Sequence, residues 1–225
     1  MKHTYRHWKT NPVSIGFTLV ELMLASVATV TIIGAAGLGL VNIISSKNTA
    51  DASSVQRQNL DRALIYITDE VRSASAISTS GSTSGIIGFP TLTTGSQVVL
   101  VLTVPSLPNP IVYYVSAAQT PWLGPNTVVR WGPDINTDGT YNAGSYNARA
   151  LVDLINTSGS NASCASWSAV PSVINRQGFY ACIDPSGKVA DVYLNSIFTD
   201  ASGKSSTYGI NSRIYSRSIS KSSSS

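Results

Sequence analysis

Between Lys9 and Lys47 the sequence holds one ionisable side chain, Glu21, near the start of an apolar stretch from Phe17 to Ile44. The 23 residues from Leu22 to Ile44 carry no charge. A helix rises about 1.5 Å per residue, so roughly 20 apolar residues cross a hydrocarbon core about 30 Å thick. The run therefore reads as a membrane-spanning helix, and whatever else the chain folds into must be built around it.

The flanks give that helix a direction. Met1 to Gly16 contains Lys2, Arg6 and Lys9 and no acid. Basic residues beside a first apolar helix stay on the cytoplasmic side, which sends the bulk of the chain outward. A cleaved secretory signal has a similar basic start and would use Ala35-Ala36 as its small-residue cut, but its apolar region is only about 7–15 residues long. This run is longer and carries an acid at its start. A carboxylate at mid-membrane costs about 2.5–3.5 kcal/mol and is usually partnered. Glu21 is five residues into the run, so it either lies at headgroup level or meets a cation.

Gly16-Phe17-Thr18-Leu19-Val20-Glu21-Leu22, after a short basic leader and before a long apolar run, resembles the type IV prepilin motif. The resemblance implies that a prepilin peptidase cuts after Gly16 and methylates the new amino terminus at Phe17. It also implies that Glu21, the fifth mature residue, pairs with the terminal amine of a neighbouring subunit during assembly. The implied partners are other pilin subunits and inner-membrane assembly proteins. The implied location is a single-pass inner-membrane protein with an extracytoplasmic C-terminal domain, later in a pilus or pseudopilus at the cell surface or in the periplasm.

After Ile44 the sequence turns polar without breaking: the next proline is Pro90, and no glycine falls between Gly39 and Gly81. Leu60, Leu64, Ile67, Val71 and Ala74 recur at spacings of three and four, a helical stripe. Arg57 with Asp61 and Asp69 with Arg72 are spaced for surface pairs. The pattern predicts one helix from about Phe17 to Ala76, its second half packed on a globular domain. Gly34, Gly37 and Gly39 either soften its middle or allow close helix approach. Residues Gln56 to Leu60 and Ala63 to Ala74 resemble the corresponding part of J-type pseudopilins and W-type minor pilins.

Beyond Ser78 the period becomes strand-like. Val98–Val104, Ile111–Ser116, Thr127–Trp131, Phe179–Ile183, Val189–Leu194 and Tyr208–Arg217 are strand candidates, with a Pro185-Ser186-Gly187 turn making a hairpin of the fourth and fifth. One long helix followed by five or six short strands predicts an α+β class, a long N-terminal helix packed on a mainly antiparallel sheet, as in pilin-like folds. The expected divisions are a leader (1–16), a membrane or filament-core half-helix (17–44), an amphipathic half-helix (45–78), a β-rich domain (79–217) and a Ser-rich tail (218–225). The Pro121-to-Pro125 and Arg130-to-Pro133 segments, each with a Trp, are similar to stretches of cyanobacterial pilin-like proteins and carry no assigned chemistry. Cys164 and Cys182 are the two cysteines. In an exported domain they predict one disulfide, tying the Asn/Ser-rich 159–169 loop to the Phe179 strand; two buried thiols are the alternative.

Several chemistries find no residues here. Both histidines, His3 and His7, lie in the expected leader, which removes Ser-His-Asp, Cys-His and imidazole-metal sites from the mature chain. No phosphate-binding loop, Cys-x-x-Cys pair or dinucleotide glycine pattern occurs, so no cofactor is expected and the chain does not read as an enzyme. Asp134, Asn136, Asp138 and Thr140 match the start of a calcium loop, but the closing position is Ser145 instead of a bidentate Glu; the same residues are ordinary turn formers, and a polar loop is the favoured reading. The pI of about 9.1 raises nucleic acid as a partner. Removing Lys2, Arg6 and Lys9 from the 15 basic residues leaves 12 against 11 acids, a net charge of +1, so the basicity is an orientation signal. The expected function is a minor pilin-like structural subunit. The alternatives are a pseudopilin of a type II secretion system or, in another class, an adhesin or DNA-binding competence subunit.

Overall fold

The computed structural model describes residues 16, 18–79, 85–157, 164, 178–199 and 203–217. The expected leader (apart from Gly16), Phe17, most of the 159–169 loop and the Ser-rich tail lie outside the described residues. The chain forms two compact units, residues 1–48 and 49–225.

A single helix, α1 (Leu19–Ser73), carries both halves of the predicted pattern, starting two residues later and stopping three earlier than predicted. Thr18 opens it: its Oγ1 accepts from the Glu21 N–H at 3.3 Å, the Thr-x-x-Glu arrangement that caps a helix N-terminus. In the first unit every large apolar side chain from Leu19 to Ile44 is 51–78% exposed. In the second unit the stripe works as predicted. Leu60, Ile67, Val71 and Ala74 are buried, Ala63 joins them, and Leu64 is half-buried against them.

The eight strands are β1 (Ala76–Ser78), β2 (Gln97–Thr103), β3 (Ile111–Ala117), β4 (Asn126–Ile135), β5 (Tyr141–Ile155), β6 (Phe179–Ile183), β7 (Val189–Thr199) and β8 (Ser205–Tyr215). They form one antiparallel sheet in the order β1-β2-β3-β4-β5-β7-β6, with β8 paired along β7. The α+β class is as predicted. Several elements differ: β1 is a short strand that was not expected, β7 runs five residues past Leu194 to Thr199, and β8 begins three residues before Tyr208 and ends at Tyr215. The 15-residue β5 runs through Tyr-Asn-Ala-Gly-Ser-Tyr-Asn-Ala, a stretch without apolar alternation, because its backbone is paired by β4. β4 continues past Trp131 through Gly132 and Pro133, with a register shift at Pro133/Asp134, the irregularity that lets a proline sit in a ladder it cannot donate to.

The sheet curls far enough for its ends to meet. The Ile77 N–H of β1 donates to Gly187 O in the β6–β7 turn at 2.9 Å. Gly187 has φ +65°, and a Cβ there would fall 2.9 Å from Ile77 O, so the turn needs glycine on both counts. Cys182 on β6 is bonded to buried Cys164, with Cα atoms 5.5 Å apart.

Each face of the sheet has its own apolar layer. The inner face buries Leu100, Leu102, Tyr113, Val115, Val128 and Leu194 with the α1 stripe. On the outer face Val112, Tyr114 and Trp131 are covered by Ile86, Phe89 and Leu92 from the segment before β2. Phe89 meets Trp131 and Tyr114 edge-on at 5.2 and 6.0 Å.

Candidate functional site

The N-terminal half of α1 is the first candidate, and its residues explain their own geometry. No Pro interrupts it, and its hydroxyls fold back onto the helix: Thr29 Oγ1 donates to Ala25 O at 2.7 Å and Ser26 Oγ to Met23 O at 2.8 Å. These hydroxyls are satisfied by the helix's own carbonyls, and apart from Glu21 and Asn42 the exposed side chains from Leu19 to Ile44 are apolar, glycine or backbone-bonded Ser and Thr. Of the described helices it alone is long and apolar enough to cross a membrane, by length and composition. Gly16 precedes it, exposed, and Glu21 sits exposed in the first turn. There the partial positive charge of the helix N-terminus favours a carboxylate. Cβ atoms at Gly34, Gly37 and Gly39 would meet nothing, so these glycines leave bare backbone available for close approach.

The sequence reading missed a second cluster, inside the globular unit. Glu70, on the α1 stripe, and Arg130, on β4, are buried with 3% of each side chain exposed. Arg130 Nε donates to both Glu70 carboxylate oxygens at 3.0 Å, and Nη2 donates to Oε1 at 2.7 Å. The Tyr113 hydroxyl of β3 donates to Oε2 and that of Tyr141 of β5 to Oε1 at 3.4 Å. The Arg130 guanidinium lies 5.7 Å from the Tyr66 ring centre and 3.0 Å from where a Cβ of Gly132 would be, so Gly132 makes its room. Two signals pointed here: a Glu at a stripe position, three residues from Ile67, and an Arg inside the apolar Thr127–Trp131 run.

The electrostatics follow from burial. Desolvation works against the Arg130 charge, but the hydrogen bonds and charge of Glu70 outweigh it and hold the pKa above the ordinary arginine value. Burial first, and then the Glu70 charge, pushes the Tyr66 phenol up to about 12 and Tyr113 well above its ordinary value; Tyr141 is raised for the same reasons. A buried pair of this kind costs desolvation and returns it only when every lone pair is satisfied. Here the donors come from three strands, so the cluster fixes α1 on the sheet.

The predicted surface pairs divide. Asp69 and Arg72 pair at 3.4 Å, both exposed, whereas Arg57 lies 4.9 Å over the Tyr208 ring. The C-terminal end of α1 is capped by other elements: Lys188 Nζ donates to Ser75 O, Ser216 Oγ to Ala74 O, and the Arg217 N–H to Arg72 O at 3.0 Å.

The calcium-loop candidates form the β4–β5 hairpin turn. Asp134 is in β4, its carboxylate 2.9 Å from Arg149 Nε and accepting from Asn147 at 3.3 Å. Asp138 Oδ1 accepts from the Thr140 N–H and hydroxyl at 2.9 and 2.6 Å, bonds that hold its carboxyl below the ordinary range. Asn136 Nδ2 donates to Thr140 Oγ1 at 3.0 Å. Hydrogen bonds within the turn and to β5 engage these side chains. Among the described residues no group of three or more His, Cys, Asp or Glu side chains is placed to hold a metal. The chain matches no family model, no curated protein and no solved structure.

Two outcomes test the cluster. Removing one partner, in Glu70→Leu or Arg130→Met, leaves a buried charge unpaired and costs about 3–5 kcal/mol, while the double substitution recovers most of that loss; denaturant melts of the three variants read it. Tyr66, Tyr113 and Tyr141 titrate near 10 when unfolded and higher when folded, so unfolding is favoured as pH rises above 10 toward the Tyr66 value of about 12. Stability falls over that window, and Tyr113→Phe makes the fall shallower in a pH series of melting temperatures.

Proposed function

We propose that this chain is a minor pilin-like structural subunit whose work is assembly. A prepilin peptidase cuts after Gly16 and methylates the amine of Phe17. The subunit waits in the inner membrane as a single-pass protein with its C-terminal domain outside, then enters a type IV pilus or a related filament. The reading rests on one observation: an apolar half-helix with no cover along its length, headed by a lone carboxylate one turn after a Gly-Phe junction. A long N-terminal helix and an antiparallel sheet are compatible with a pilin-like architecture.

The chemistry of assembly follows. In a membrane the half-helix faces lipid; in a filament core it faces equivalent helices, and both remove the same apolar surface from water. Lipid and helix are similarly apolar, so burial alone gives no register. Glu21 gives one. The methylated amine of Phe17 remains a cation, and a neighbour's amine brought to Glu21 cancels a charge that is costly in an apolar core. The first pairing position along the axis that neutralises both groups is the one that holds. The nearly neutral mature charge gives no basis for nucleic acid as a partner.

Glu21→Ala tests this. The account predicts an unchanged amount and size of the chain in the membrane fraction, and depletion from sheared filaments by about tenfold or more, the equivalent of losing roughly 1.4 kcal/mol per pairing. Quantitative immunoblots of membrane and sheared fractions decide it, and equal incorporation contradicts the pairing role.

A further inference from the structure

The outer face of β3, β4 and β5 is only partly covered. Ile86, Phe89 and Leu92 lie over its Trp131 end, and the remainder is an open groove of about 330 Å³ between the 90–96 segment and the 117–122 turn. Its size is at the lower end of small-molecule sites, which run to roughly 300–1,000 Å³. Ala148 and Ala150 on β5 are small enough to leave the depression open, and Tyr114, Ser116 and Thr127 complete its floor.

The walls are hydroxyl-rich, and no described lining residue carries a charge. Thr93 and Ser96 share a hydrogen bond at 2.9 Å and Ser96 donates to Ser116 at 3.1 Å, a chain of hydroxyls with acceptor lone pairs to spare. The side chains of Thr91, Gln119 and Thr120 have no hydrogen-bond partner among the described residues.

Trp122 stands at the rim, 42% exposed, and Leu123 beside it is 61% exposed. The turn that carries them is held on several sides. The Trp122 N–H donates to Gln119 O at 2.8 Å and the Ala118 N–H to Pro125 O at 3.1 Å. A register shift where β5 passes Asn126 and Val128 aims Asp153 and Leu154 at the turn: Asp153 Oδ2 accepts from the Leu123 N–H at 2.9 Å, and the Leu154 N–H donates to Leu123 O at 3.2 Å. Leu154 has φ +54°, a conformation that a bulky residue adopts only where its surroundings enforce it. Asp153 O in turn accepts from Gln56 of α1 at 3.0 Å. The backbone that carries the indole is thus fixed, and the indole itself is part-exposed at the rim.

We infer that this groove binds a neutral carbohydrate, one or two sugar rings long. A sugar presents hydroxyls that exchange hydrogen bonds with Ser, Thr and Gln, and an apolar C–H face that an exposed indole covers. An anionic ligand would find no cation on the lining, and a purely apolar one would strand its hydroxyls. The inference is independent of the filament reading, since it uses only the globular unit.

The test uses the full chain in a zwitterionic detergent without a sugar headgroup, applied to an immobilised panel of neutral oligosaccharides built from glucose, galactose, mannose and N-acetylglucosamine, with sialylated and sulfated counterparts beside them. Saturable binding to at least one neutral member is expected, weakened about tenfold or more by Trp122→Ala. Ala148→Trp, whose side chain would stand beside its ladder partner Trp131 on the outer face, fills the groove and abolishes the same binding while the chain still melts in one cooperative transition. Absence of binding to every neutral member, binding confined to acidic members, or binding that survives both substitutions overturns the inference.

Discussion

Leucine, isoleucine and valine side chains standing in water over the length of a membrane-crossing helix set the terms for the rest of this chain. Each such side chain gains about 1.5–3 kcal/mol when fully buried, so the Leu19–Ile44 surface represents on the order of tens of kcal/mol awaiting cover. That is comparable to or larger than the stability of a whole domain, usually about 5–15 kcal/mol. No arrangement of the globular unit has to supply that cover if lipid or other helices do. The absence of proline in α1 and the folding of Ser26 and Thr29 hydroxyls onto backbone carbonyls follow from this environment, in which an unsatisfied polar group is expensive. Glu21 is the exception, and the partial positive charge of the helix N-terminus makes its charge locally tolerable without neutralising it.

The second half of the same helix solves a different problem. A narrow stripe of Leu60, Ala63, Ile67 and Val71 would pack on a sheet face in more than one register, because apolar contact is not directional. Glu70 removes that freedom. It has a low-energy position only where Arg130, Tyr113 and Tyr141 converge, so three strands and the helix are located by one carboxylate. Gly132 supplies the space for the guanidinium, and Lys188 and Ser216 close the helix end. On the other face the 86–92 segment covers the Trp131 end and leaves the Trp122 groove open.

Much of this was legible in the residues. The long helix, its stripe and the six strand candidates are periodic signals, and periodicity reports which face is buried. β5 was not legible because its Asn, Gly, Ser and Ala are held by the backbone ladder of β4, a long-range partner that no local pattern encodes. The Glu70–Arg130 pair could be suspected from two charges set in apolar patterns, but their meeting across 60 residues belongs to the fold. The Thr18 cap was not read from the sequence, where the same residues carry the processing motif. The Asp134 cluster shows the reverse: its spacing suits a cation, and its side chains are engaged in making a turn. The groove draws its floor from three strands and its rim from a proline-bounded turn, so it exists only in three dimensions.

The central claim is that the apolar half-helix is an assembly element released by a single cut. Intact-mass and N-terminal sequence analysis of the protein extracted from its native membrane tests that most directly. The account predicts a chain that begins at a methylated Phe17; an intact Met1, or a start after Ala36, would contradict it.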